Sequence, residues 1–308
     1  MKASEQPAHL PTIAIIGPGK VGTSLAILAS KAGYAVAAIG GRNYSKCVEA
    51  AQRVNQASRV HGNKTKAASI TEAAGSAELV FLTVNDDAIG ELCQNLAKNK
   101  HFKPGTIVAH VSGTLSSDVL SAAKNTCSVA SAHPLQTFAT VESAEKTMPG
   151  TYWFLEGDLK AVSVIKALVF AIGGKPNETT FNQKQKALYH AATVTASNYL
   201  VALIDTALSI MAEASISRDI ALLALAPLIT TTVHNTVQLG PSEALTGPIA
   251  RGDIETVKNH LQVLVGASED LAEIYRTMGR KTVQLALDRG SIDKQQAGAL
   301  FSILSNPE

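Results

Sequence analysis

Three glycines place the tightest constraint on this chain. Gly17, Gly19 and Gly22 form G-x-G-x-x-G directly after the apolar run TIAII and directly before the helix-like stretch VGTSLAILASKAG. So short an apolar run reads as a strand buried on both faces. A glycine turn between such a strand and a helix lets backbone N–H groups and the helix N-terminus close on a pyrophosphate. The alternative is a turn whose glycines serve the backbone alone. Nucleotide binding by Gly17, Pro18, Gly19, Lys20, Val21 and Gly22 is the reading favoured by the motif's place on the first strand.

Up to residue 182 the sequence keeps alternating short apolar runs with longer helical patterns, the cadence of βαβ units. Strands are expected at 12–16, 35–39, 79–84, 106–110, 128–132, 152–155 and 178–181. From 183 onward only helical patterns rich in Ala and Leu appear, one of them running unbroken over 183–211, with Gly240-Pro241 and Gly247-Pro248 as the clearest breaks. The chain reads as an α/β protein: an N-terminal doubly wound parallel sheet over 1–182 that holds the nucleotide, then an all-helical domain over 183–308 for substrate and dimer contacts. A length of 308 residues suits two domains.

Charge and composition narrow the partners. The 27 basic residues nearly balance the 25 acidic ones and do not cluster, so no nucleic-acid partner is expected. Cys47, Cys93 and Cys127 fit neither a disulfide framework nor a metal-binding pair, which points to a reducing cytoplasm and no metal site. Apolar stretches such as 220–229 reach about half the length of a bilayer-spanning helix, so no membrane span is expected. The N-terminus lacks the apolar core of a secretory leader. Runs such as IALLALAPLI, flanked by few charges, call for a cover, and a homodimer through the helical domain supplies one.

The end of the second strand selects the nucleotide. An NAD site places Asp or Glu there, whereas this chain reads GGRNYSK. Arg42, Ser45 and Lys46 suit a 2′-phosphate, so NADP(H) is expected, with a solvated basic helix start as the alternative. Later strand ends should line the same crevice. They carry Asn85 as a cofactor contact, Asp86 and Asp87 read as helix caps, and Ser112 with Gly113 in a small turn near the nicotinamide and substrate. His133 precedes Pro134, which aims its ring; it is either a site residue or an ordinary loop histidine.

In the helical part, Lys186, His190, Thr193 and Ser197 share one stripe, and Asn198 lies on its flank. The stripe either faces solvent or faces the crevice, where Lys186 would protonate a substrate oxygen with His190 in support. Asn235, Thr246 and Arg251 are candidate substrate contacts, Arg251 as a clamp on a carboxylate. Asp253 reads as the N-cap of DIETVKNHL and as a further substrate-side candidate.

The set GPGKVG, HVSGT, HPLQTF, YHAATVTASNYLVAL and ALTGPIARGD resembles the bacterial family that joins a Rossmann-like domain to a helical domain of unknown function, DUF2520. It is similar to the wider β-hydroxyacid dehydrogenase superfamily, which often dimerises through the helical domain. Some members of the family resemble an alternative form of ketopantoate reductase. The resemblance implies an NADPH-dependent reductase of a small 2-oxo acid, with 2-dehydropantoate in the lead. Where ordinary ketopantoate reductases carry Lys-x-x-x-Asn on a helix, the matching spacing here holds Lys186 and His190. A pyrroline-carboxylate type of imine reductase and a non-catalytic NADP-binding regulator are the alternatives.

Overall fold

The computed structural model describes residues 9–58 and 64–305. The segment expected to lack a secretory leader lies, up to residue 8, outside them. A first compact unit runs to Ser197 and a second from Asn198.

The first unit follows the order β1 (Ile13–Ile16), α1 (Lys20–Lys31), β2 (Val36–Gly40), α2 (Tyr44–Ala57), β3 (Lys66–Ala68), α3 (Ile70–Ala74), β4 (Leu79–Leu82), α4 (Asp86–Lys98) and β5 (Ile107–His110). A 3₁₀ segment (Ser117–Ala123) then leads to β6 (Ser128–Pro134), α5 (Val141–Thr147), β7 (Tyr152–Gly157), α6 (Leu159–Ala171), β8 (Lys175–Glu178) and α7 (Gln183–Ala196). The strands form one sheet in the order β3-β2-β1-β4-β5-β6-β7-β8. The chain leaves β1 toward β2 on one side and continues from β4 on the other, so a crevice opens outside the carboxyl ends of β1 and β4. Successive strand residues serve opposite faces. Ile13, Ile15, Leu79 and Phe81 pack with α1, α2 and α6, whereas Ala14, Ile16, Val80 and Leu82 pack with α3 and α4. Two covered faces explain why these strands are apolar at every position.

Four expectations are corrected. β3 is a three-residue strand too short to leave a pattern in the sequence. β8 lies at Lys175–Glu178, earlier than 178–181, because it is the edge strand, where Pro176 costs no ladder bond, and Phe181 instead stacks on Phe154 at 6.1 Å. β7 runs antiparallel to β6, pairing Trp153 with Pro134, because α5 packs against α1 and returns the chain to the same end of the sheet. The stretch 183–211 is broken at Ser197 (φ −115°, ψ −68°), which leaves α7 with the first unit, past the expected division at 182.

The second unit holds α8 (Asn198–Glu213), α9 (Arg218–Leu239), α10 (Pro241–Ala244), α11 (Ile254–Ala267), α12 (Glu269–Arg289) and α13 (Lys294–Leu304). Its core joins Val257 and Leu261 of α11, Val283 and Ala286 of α12, and Leu300 and Leu304 of α13. α8 and α9 are different, since Leu208 and Ala221 are their only buried residues. Leu223 is 77% exposed, Val237 73% and Val201 68%. By length and composition, Arg218–Leu239 and the segment Gln183–Glu213, counted through the break at Ser197, could cross a bilayer, their most apolar 18 residues having mean hydropathies of 1.5 and 1.4. The expectation that no segment reaches that length is thereby corrected. It counted unbroken apolar runs, and the helices continue through threonines and other polar residues.

Candidate active site

Each glycine of the turn has its own task. Gly17 has φ +116°, and a Cβ on it would fall 2.6 Å from the Thr83 carbonyl oxygen just past β4. A Cβ on Gly22 would collide with Thr83 Oγ1 and with the Gly17 carbonyl, the two atoms joined by a 2.7 Å hydrogen bond that ties β4 to the turn. Gly19 faces open space and is the N-cap of α1 with no side-chain cap, so the N–H groups of the first turn remain free for an anion.

The turn forms one wall of a cleft of about 900 Å³. Pro18, Gly19, Lys20 and Val21 line it at this end, and Asn85 does so from the start of α4. Lys46 lines it from α2, whereas Arg42 on the preceding turn and Ser45 in the first turn of α2 are exposed and not on the cleft wall. The cleft also meets Glu49 and Arg53, and Arg53 is paired with Glu142 of α5. Reading by motif missed Arg53. Its spacing of seven from Lys46 puts it two turns along the same helix face, which is the signal that could have found it.

At the far end of the cleft His190 lines the wall, and His133 and His110 lie off it. His110 closes β5 and is fully buried. The Ser112 N–H donates to its Nδ1 at 3.1 Å, so the ring proton sits on Nε2 and is donated to the Ser116 carbonyl at 3.2 Å. Burial pulls this imidazole down to about 4. Ser112 Oγ donates to Asp86 Oδ2 at 2.7 Å and accepts from the N–H groups of Thr114 and Leu115, each at 3.1 Å. Thr114 Oγ1 donates to the same carboxylate at 2.6 Å. Asp86 thus locks the turn after β5, a correction to its reading as a helix cap; the N-cap residue is Asn85, whose side chain makes no capping bond. Ser112 and Gly113 reach the cleft wall, with the Ser112 hydroxyl already engaged inside the turn.

His133 stands near the end of β6 with Nδ1 2.7 Å from the Tyr189 hydroxyl. Burial, helped by the Lys186 charge, pulls His133 down to about 4. His190, next on α7, lines the cleft, and its buried Nδ1 has no hydrogen-bond partner among the described residues. The two rings meet over Gly113, where a Cβ would lie 2.7 Å from His190 Nδ1 and 2.9 Å from His133 Nε2. Only glycine lets both imidazoles approach this turn.

Lys186 does not line the cleft, a correction to the expected polar stripe. Its side chain is fully buried, and Nζ donates to Ser131 Oγ at 2.8 Å and lies 3.7 Å from Glu156 Oε1. Glu156 accepts in turn from the Ser117 N–H and hydroxyl, both at 2.8 Å. Burial pushes the ammonium below the usual lysine range, opposed by the Glu156 charge. Further along, Thr193 Oγ1 bonds the His190 carbonyl of its own helix at 2.8 Å, and Ser197 ends α7. Helical spacing grouped these residues correctly but not the surface they meet.

The remaining candidates belong to the second unit. Asn198 starts α8, Asn235 is exposed on α9, and Thr246 and Arg251 are exposed on either side of Pro248. Asp253 caps α11, accepting from the Thr256 N–H at 3.1 Å and hydroxyl at 2.7 Å, as its sequence context suggested.

Among the curated proteins none matches the sequence. Solved structures do match in fold. A Bacteroides fragilis protein assigned provisionally as an NADP oxidoreductase is 21% identical, with a TM-score of 0.71, covering 89% of this chain and 98% of its own. A Thermotoga maritima protein is 24% identical with a TM-score of 0.68, covering 90% and 99%. The reductive aminase of Aspergillus terreus, solved with NADPH and ethyl levulinate, is 17% identical with a TM-score of 0.61, covering 94% and 98%. The Rossmann-like family matches residues 2–134, and the family known as domain of unknown function DUF2520 matches residues 151–282. The chain thus joins a Rossmann-like match to a DUF2520 match.

Proposed function

We propose that the protein is an NADPH-dependent reductase of a small 2-oxo acid, with 2-dehydropantoate, reduced to pantoate for pantothenate synthesis, as the leading substrate. One observation carries this reading: a single cleft leads from the glycine turn to an imidazole at the carboxyl end of the sheet. The chain fits the cofactor, since Gly19 leaves open space before uncapped N–H groups while Lys20, Lys46 and Arg53 supply positive charge along the same wall. Bound there, the nicotinamide supplies a hydride. His190, on the wall, delivers the proton, and Lys186 holds α7 against the sheet in place of the donor role its spacing suggested. Arg251 keeps the proposed task of binding the substrate carboxylate, with Asn235 and Thr246 as further polar contacts.

An imine substrate is the second reading, favoured by the fold shared with a reductive aminase. NADPH consumption with a panel of 2-oxo acids and cyclic imines tests both. Turnover of the oxo acids is expected. Turnover of imines alone would replace the first reading with the second, and NADPH binding with no turnover would leave a regulator.

We further propose a cytoplasmic homodimer in which a second copy covers α8 and α9. The three cysteines, all free and buried, suit a reducing compartment. Asp205, paired with Arg218, sits midway along α8. An acidic group inside a bilayer span costs about 2.5–3.5 kcal/mol, which favours protein over lipid as the cover. Light scattering should give the mass of two chains; the mass of one would remove the dimer.

A further inference from the structure

Tyr189 belongs to none of the roles assigned so far. Its ring packs on Phe154 and Phe181, with centroids 4.8 and 5.4 Å away. Its hydroxyl meets Nδ1 of His133 at 2.7 Å, its one hydrogen bond among the described residues. Burial pushes the phenol up, so it keeps its proton. With the O–H directed at Nδ1 that proton is satisfied. The opposite arrangement, Nδ1–H donating to the phenol oxygen, would strand the phenol proton in a half-buried site, at part of the roughly 1–3 kcal/mol that a fully buried unpaired donor costs. Nδ1 therefore accepts, and a neutral imidazole that accepts at Nδ1 carries its proton on Nε2.

Nε2 is the nitrogen turned to Gly113. It and His190 Nδ1 both fall within 3.0 Å of the point where a Cβ of residue 113 would stand. That separation allows one oxygen atom to bridge them. His190 Nδ1, buried and unpartnered, is the atom such a bridge would satisfy. We propose that Tyr189 is a positioning residue that fixes His133 as an Nε2–H donor, and that His133 Nε2 and His190 Nδ1 together seat the reacting oxygen of the substrate beside Gly113. This rests on the reductase reading and sharpens it, because a fixed donor selects the substrate. A carbonyl oxygen accepts from Nε2–H, whereas a protonated imine would oppose one N–H with another.

The chemistry balances. As hydride adds to the carbonyl carbon, the π pair moves onto oxygen and an alkoxide forms. His133, held neutral, keeps its proton and strengthens its hydrogen bond as charge develops, the electrophilic use of a neutral imidazole. His190 takes up one proton from solvent and passes Nδ1–H to the alkoxide, which leaves it a neutral imidazole. Carbonyl, NADPH and one proton thus become the alcohol and NADP+.

Nitrogen NMR of the full chain labelled in histidine, with His133 assigned through His133→Gln, reads the tautomer without any turnover. His133 should be protonated at Nε2 and bare at Nδ1 in the parent protein, and Tyr189→Phe should convert it to a mixture. Protonation at Nδ1 in the parent, or an unchanged tautomer in Tyr189→Phe, overturns the proposal. With the oxo acid found by the panel, Tyr189→Phe should lose about tenfold or more in kcat with the NADPH Kd within about twofold, because the Nε2–H bond to the developing alkoxide acts on the transition state. His190→Asn, which keeps an N–H donor, should retain more kcat than His190→Ala. Parent kcat in Tyr189→Phe would remove the positioning role while the reductase reading stands; no turnover by the parent protein would remove that reading while the tautomer result stands.

Discussion

The two ends of the cleft are built by opposite means. The nucleotide end comes from one contiguous segment, Gly17 to Gly22, whose strand, turn and helix follow from local chemistry. The histidine end brings together Ser112 and Gly113 after β5, His133 on β6 and His190 on α7, and it holds its shape through buried and half-buried polar bonds. A local motif tolerates drift elsewhere in the fold. A convergent site depends on every element that delivers a residue to it, so the sheet and α7 have to be fastened. The Lys186–Ser131–Glu156–Ser117 chain is that fastening.

The largest effect expected from this difference is on stability at the histidine end. Lys186→Ala leaves the Glu156 carboxylate buried without its cation, and breaking such a pair from one side costs about 3–5 kcal/mol. Urea unfolding should show that loss. Unchanged stability would mean that Lys186 does not hold α7 and would reopen its role as a proton donor.

Acid should strain the same end next. His110 and His133 are both held down to about 4, against an ordinary value of 6.5, chiefly by burial. Below 6.5 the unfolded chain takes up protons that the folded one refuses, so stability falls as pH drops through the window from 6.5 to 4. Roughly 3 kcal/mol per histidine is at stake. Unfolding midpoints at pH 7 and 4.5 measure the loss, and His110→Gln should flatten the dependence. An equal slope in that variant would take His110 out of the acid response.

The same contrast explains what the sequence could disclose. The glycine turn was legible because its signal lies within six residues, and the strands of the sheet core because burial on both faces makes them apolar throughout. His133 was singled out by the proline after it. Tyr189 was not, because its partner is 56 residues away in the chain and nothing near it announces the contact. Lys186 marks a different limit: periodicity says which residues share a helix face, while only packing says whether that face meets a cleft, a sheet or water. The β8 register failed for a similar reason, since an edge strand bearing Pro176 has little apolar pattern to show.

At the nucleotide end, a single motif should split into two kinds of effect. Gly22→Ala forces a methyl group onto Thr83 Oγ1 and the Gly17 carbonyl, and overpacking of that sort costs about 1–3 kcal/mol. Gly19→Ala meets nothing in the protein, so it should leave stability unchanged and weaken NADPH alone, by crowding the approach of the pyrophosphate. Thermal unfolding beside NADPH titration separates the two. Equal effects on both readouts in both variants would mean that the three glycines share one structural task.

The smallest expected effect concerns which nucleotide the turn prefers. Arg42 sits at the end of β2, where an NAD site carries a carboxylate, yet it is exposed beside the cleft, whereas Lys46 and Arg53 line the wall with Glu49 between them. Arg53 is also shared with Glu142, which reduces what it can offer a phosphate. A flexible guanidinium at the β2 end can close on a 2′-phosphate bidentately, which the Lys46 ammonium cannot. Arg42→Asp should therefore weaken NADPH about tenfold, near 1.4 kcal/mol, and leave NADH unchanged or slightly improved, because the new carboxylate repels the phosphate and accepts from a free 2′-hydroxyl. Titration of both cofactors against the parent protein, Arg42→Asp and Lys46→Ala decides the matter. A preference untouched by Arg42→Asp but lost in Lys46→Ala would move the 2′-phosphate from the strand end to the helix wall, and with it the one part of the nucleotide site read from a single residue's charge.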